Sequence, residues 1–197
     1  MREALRLLAS QHLIITTRGV TGGSFVAHPD AEQLADGLAA GFTLLTNSAD
    51  VGLADVLELR RAIEVPAAGL AAQRRTEGHL IELGGALFDP AVDVLDTMMA
   101  AHAAFHMAVA KASGNPLFEL VVRPFYHASF GEAVTGNLPA GYWTQIDADH
   151  RRLLECVRAR DVEAATRAAT AHIDFIVEST REEQHAPAFG GAHAAMR

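Results

Sequence analysis

Ten histidines fall within 197 residues, and four of them have spacings that chelation would use. His102 and His106, in MMAAHAAFHMAVA, stand at i and i+4. On one helix their rings leave the same face about one turn apart and can grip a single ion. His150 and His172 belong to the next two helical segments, which meet at a turn near Arg160. From His150 to that turn is about ten residues, and back to His172 about twelve, roughly 15 and 18 Å at the helical rise. An antiparallel pairing therefore sets the two rings at nearly one height. Neutral imidazoles suit Zn²⁺, Ni²⁺ or another mid-series divalent ion, and such an ion can take a water or carboxylate beyond four protein nitrogens. The competing reading is that paired histidines fall by chance on packed or surface faces. His12, His28, His79, His127, His185 and His193 have no partner at ligand spacing and read as surface or packing residues.

Histidine-bound zinc can also activate water, so hydrolysis is a rival. The HAAFH segment carries Ala103 and Ala104 where a zincin places its glutamate base, and no Ser/His/Asp order or phosphate loop occurs elsewhere. Glu119 and Asp149 remain as conceivable bases, with Asp149, next to His150, more simply an orienting or surface residue. The chain is expected not to be an enzyme, and a histidine–metal hydrolase is the lesser alternative.

The elements that must hold these histidines follow from periodicity. From Pro29 onward every long segment repeats at 3.6 residues, predicting helices at about 30–46, 52–75, 77–84, 91–113, 116–134, 142–159 and 161–184. Stop signals separate them at Asn47–Ser48, Gly84–Gly85, Asp89–Pro90, Gly114–Pro116 and Gly136–Gly141. Residues 30–184 are thus expected to form an all-α antiparallel bundle of about six or seven helices. Ahead of it, REALRLLAS reads as a helix, HLIITTR and SFVA as short strands, and GVTGG as the turn between them. A helix followed by a hairpin is the second half of a winged helix-turn-helix, so 1–27 is expected to be a partial DNA-binding domain without the supporting helix that comes before a recognition helix. The tail 185–197, HAPAFGGAHAAMR, lacks periodicity and is expected to be disordered.

Composition limits the classes. Half the residues are apolar and 20% are charged, which excludes wholesale disorder. No apolar run reaches the ~18 residues of a membrane span, so no membrane partner is expected. The N-terminus has no secretory pattern and the single Cys156 allows no intrachain disulfide, which points to a cytoplasmic protein. A net charge of −8 excludes a polycationic surface. The exception is residues 1–27, where Arg2, Arg6 and Arg18 face one acid, Glu3. A mildly basic head on an acidic body suggests two tasks.

The opening REALRLLASQHLIITTRGVTGGSFVA resembles the recognition helix and wing of the GntR family of bacterial transcription regulators. The segments ELRRAIEVPAAGLAA (58–72), FHMAVAKASGNPLF (105–118) and DHRRLLECVRARDVEAA (149–165), with the late His172, resemble the helical ligand-binding domain of its FadR-like branch, the FCD domain. That resemblance implies a divalent metal held by His102, His106, His150 and His172, with His102 standing where the family usually has Asp. An all-imidazole set leaves the ion's charge uncompensated, which favours an anionic effector and Zn²⁺ or Ni²⁺ over Mn²⁺. It further implies a small organic acid effector held in part by Arg60, although an Arg60–Glu64 pair at i+4 is an equal alternative. Arg2, Arg6 and Arg18 are the implied DNA contacts. The implied whole is a homodimer on palindromic operator DNA, in which the metabolite shifts bundle packing and the spacing of two winged domains. The alternative within the family is an effector-binding module without DNA binding. Asn115 is assigned to capping the helix that Pro116 opens.

Overall fold

A computed structural model describes the chain apart from residues 1, 11–12, 20–21, 28–30, 49–50, 128–137 and 186–197. It begins with helix α1 (Arg2–Ser10) and the strands β1 (Ile14–Thr17) and β2 (Gly23–Val26). The strands pair antiparallel with Ile14 opposite Val26 and Thr17 opposite Gly23. Gly19 turns the chain at φ +123°, and a Cβ on Gly22 would stand 2.6 Å from the Thr17 carbonyl oxygen, so the glycines of this loop are required by its tightness. The tail beyond residue 185, where disorder was expected, lies outside the described residues.

Among the described residues seven helices follow: α2 (Ala31–Asn47), α3 (Leu53–Arg74), α4 (Glu77–Gly85), α5 (Leu95–Ala112), α6 (Pro116–His127), α7 (Tyr142–Arg158) and α8 (Val162–His185). Their ends are set by local chemistry. Asn115 accepts from the Leu117 amide at 3.1 Å and caps α6. Thr76 and His79 exchange side-chain and backbone hydrogen bonds at the start of α4, which gives His79 a capping role that its spacing had not suggested. Helix α5 starts at Leu95, four residues later than periodicity placed it. Asp89 and Asp93 explain the delay, because the Asp89 amide bonds the Asp93 carboxylate and Asp89 in turn accepts from the Ala91 amide, holding a turn instead. The part of α6 expected beyond His127 lies outside the described residues. Pro66 and Pro124 sit inside α3 and α6, each removing one helical hydrogen bond, and buried packing carries the helices past them.

The core runs between α3, α5, α7 and α8. Ala68, Ala71 and Ala72 of α3 meet Ala165, Ala168 and Ala169 of α8, with Phe105, Val109, Leu153 and Val157 filling the space around them. Small residues let these two long helices approach closely, so that even a Cβ on Gly69 would come within 2.8 Å of the Thr166 hydroxyl. At the α7–α8 corner Arg160 takes φ 59°, and Asp161 accepts from the Ala164 amide to start α8. The Arg160 guanidinium then donates to the carbonyls of Gln73 and Arg75, fastening the corner to the end of α3. The described part of the chain is therefore an all-α bundle preceded by one helix and a hairpin. No helix among the described residues is long and apolar enough to cross a membrane.

Candidate metal centre

Three helices deliver the four histidines. His102 and His106 project from one face of α5, His150 comes from α7 and His172 from α8. One ligating nitrogen from each lies within 4.8 Å of all the others. Ring centroids are separated by 4.6 to 5.7 Å, and His106, His150 and His172 are at most 5% exposed. The His150 ring stacks with His102 at 5.1 Å and with Phe105 at 4.1 Å between centroids.

Several of these nitrogens lack partners. Nδ1 of His102 and both ring nitrogens of His150 are buried without a hydrogen bond, an arrangement that costs on the order of 1 to 3 kcal/mol per group. The Nε2 atoms of His106 and His172 stand 3.1 Å apart. Two nitrogens at zinc-ligand distance from one ion are separated by about 3.0 Å at a right angle and about 3.4 Å at the tetrahedral angle. The donor set, and the spacing of this pair, thus fit a divalent ion.

Burial also favours the neutral form of His102, His106 and His150. It pushes the titration of His102 and His150 well below the ordinary imidazole value, and that of His106 down to about 4 despite the opposing pull of Glu64. Neutral rings are what a metal ligand requires.

Carboxylates and an arginine surround this centre. Glu64 of α3 meets Nδ1 of His106 at 2.6 Å, and Asp149 of α7 meets Nδ1 of His172 at 3.3 Å. Burial would raise the Glu64 carboxyl, but Arg60 and His106 beside it hold it well below the usual carboxylate range. Arg60 donates through Nε to Glu64 at 2.7 Å and through Nη2 to the Tyr126 hydroxyl. The i+4 pair with Glu64 therefore exists, and at 8% exposure it is an interior pair instead of a surface one. The hydrogen bonds of Arg60 to Glu64 and Tyr126 run through Nε and Nη2, and Nη1 takes no part in them. Sequence reading had placed Asp149 with His150; its carboxylate faces His172. The Glu64–His106 and Tyr126 contacts were not anticipated, because no periodicity links α3 to α5 or α6.

The remaining sites stand apart. Glu119, weighed above as a base, is exposed on α6 near Lys111 and is not part of the histidine cluster. Arg6 and Arg18 are exposed on α1 and after β1, and the Arg2 side chain is outside the described set. A cavity of about 10 Å³ lies against His106 and His172, floored by Val109, Leu153 and Ile173. That is room for one water at most.

The family model for the FCD domain matches residues 55–175, a span that includes Arg60, Glu64 and all four histidines. The putative L-lactate dehydrogenase operon regulatory protein of Escherichia coli K12 is 26% identical over 181 residues, covering 89% of this chain and 69% of its own length. The HTH-type transcriptional regulator LutR of Bacillus subtilis 168 is 28% identical over 183 residues, with coverage of 88% and 80%. Among solved structures, a Streptococcus agalactiae GntR protein superposes with a TM-score of 0.59 at 23% identity, covering 90% of this chain and 80% of that one. These relatives are transcription regulators, not enzymes.

Proposed function

Given that this chain belongs to the FCD-domain family, in the FadR-like branch of GntR transcription regulators, we propose that its helical domain senses a small organic acid through a bound divalent ion. The observation that carries this reading is the convergence of four imidazole nitrogens within 4.8 Å inside the bundle. His102, His106, His150 and His172 would hold the ion, with Zn²⁺ or Ni²⁺ favoured by an all-nitrogen set. When bound, the ion supplies a positive Lewis-acid centre for a carboxylate. Arg60 would add a second cationic contact through Nη1, which its bonds to Glu64 and Tyr126 do not use. The name of the Escherichia coli relative makes lactate and similar 2-hydroxy acids the first effectors to test.

Residues 1–27 are proposed as part of the DNA-binding winged domain and 30–184 as the effector domain. Arg2, Arg6 and Arg18 would contact operator phosphates or bases, and the regulator would act as a homodimer. An effector shifts such a regulator only by its difference in affinity for two packings of the bundle. The test is calorimetry with L-lactate and a panel of small carboxylates, on zinc-loaded and chelated protein. Heat of binding in the loaded form alone supports the reading. Equal binding by both forms overturns it.

A further inference from the structure

Two of the four imidazoles are held differently from the other two. Nδ1 of His106 faces the Glu64 carboxylate at 2.6 Å, and Nδ1 of His172 faces the Asp149 carboxylate at 3.3 Å. A carboxylate has no hydrogen to give, so each Nδ1 must carry one, and in a neutral ring the lone pair then lies on Nε2. Those two Nε2 atoms face each other at 3.1 Å. With both rings neutral, that is hydrogen-bond distance with no hydrogen to fill it, a contact between two acceptors that a cation relieves.

The carboxylates are themselves fixed. Arg60 and Tyr126 hold Glu64, and Gln145 donates to the second oxygen of Asp149 at 2.9 Å. His150 has no such support, because both its nitrogens lack partners, and Nδ1 of His102 lacks one as well. The site therefore contains one pair of rings whose ligating atoms are preset by carboxylates and one pair that no carboxylate orients.

We propose that Glu64 and Asp149 are positioning residues that lock His106 and His172 in the Nδ1–H tautomer, aiming both Nε2 lone pairs at one cation as a preset anchor that His102 and His150 then complete. The proposal rests on the metal reading given above. Removal of such an orienting carboxylate typically weakens metal affinity by about 10- to 100-fold.

The experiment uses the full chain, metal-free and labelled with ¹⁵N in its histidines, at neutral pH. Two-bond proton–nitrogen correlation spectra of the wild type should show two rings with protonated Nδ1 and bare Nε2. In Asp149→Ala one of them should revert to the Nε2–H form that free imidazole prefers, while Asp149→Asn, which keeps a carbonyl acceptor, should restore part of the Nδ1–H signal. Glu64→Gln reports on His106 in the same way. Zinc affinity, measured by chelator competition on the same samples, should fall about 10- to 100-fold in Asp149→Ala. Far-ultraviolet circular dichroism identifies any variant that fails to fold. Absence of the two Nδ1–H rings in the wild type, or a His172 tautomer unchanged in Asp149→Ala, overturns the proposal whether or not zinc binds. If the tautomers are as stated and the wild type binds no zinc or nickel, the metal reading falls, and the anchoring role falls with it.

Discussion

The Nε2 atoms of His106 and His172 lie 3.1 Å apart although 66 residues separate them in the chain. They meet because α5 and α8 both pack on α3, whose alanine-rich face brings the helices close. The geometry of the histidine centre is therefore a property of the core, and changes to either should be felt by the other.

Metal should stabilise the fold measurably. Loading with Zn²⁺ at about 100 times its dissociation constant adds about 2.7 kcal/mol, which raises Tm by roughly 5 to 10 °C for a domain of this size. Elemental analysis should find one ion per chain. Both effects should vanish in the His106→Ala, His172→Ala double variant, and a Tm that rises equally in the variant would show that the ion binds elsewhere.

Acid should destabilise the metal-free protein. The His106 ring is held at about 4 when folded, by burial first and against the pull of Glu64, while His172, His102, His150 and Arg60 also face it. Unfolded, it takes up a proton near the ordinary value of 6.5, so between these values the unfolded state binds more protons and folding weakens as pH falls. The depressed Glu64 carboxyl acts in the same sense at lower pH, since its stabilisation is lost once it protonates. Urea titrations from pH 7 to 4 should show a loss from His106 of up to about 3 kcal/mol, concentrated below pH 6.5.

Arg60→Ala should cost far more than an ordinary surface arginine. It strands the buried Glu64 carboxylate, a loss of about 3 to 5 kcal/mol for a broken interior pair. Adding Glu64→Gln should recover part of it, so the double variant is less destabilised than the sum of the singles. Chemical denaturation of the four proteins in the cycle measures this, and strict additivity would mean that the pair is not coupled.

Phe105→Ala tests the floor under His150. The ring is fully buried and stacks on that imidazole with centroids 4.1 Å apart. Its removal should cost about 3 to 5 kcal/mol and also weaken zinc binding, because His150 has no hydrogen bond to keep it in place. Truncating the exposed Ile81 serves as control and should alter neither quantity.

The parts of this molecule that were legible in the sequence depend on local periodicity. The i, i+4 spacing of His102 and His106, the levelled positions of His150 and His172 about the Arg160 corner, and the Asn115 cap all follow from helix geometry within one segment or one hairpin. The carboxylates around the rings do not. Glu64 was visible only as a partner one turn from Arg60, since nothing in the chain's order tells which helix packs across α3. Asp149 was read beside His150, but successive side chains on a helix diverge by about 100°, so its carboxylate looks toward α8 instead. The late start of α5 was hidden because Asp89 and Asp93 hold a turn by side-chain bonds that compete with an otherwise helical pattern.

The bolt between Arg160 and the end of α3 gives the hairpin of α7 and α8 a fulcrum. His172 lies about 15 Å along α8 from Val162, whereas the far end of that helix at His185 lies about 35 Å away. If α8 pivots as a rigid rod about that corner, each ångström of ring movement at His172 becomes more than two at its tip. Helix α7 is pinned at the same corner and ends beyond His150 at Tyr142, so it forms a second, shorter arm. On that condition the histidine centre sits part-way along two levers, and a sub-ångström change in how the rings are drawn together would be delivered as a larger displacement at the opposite end of the bundle, where Tyr142 and Ile176 pack.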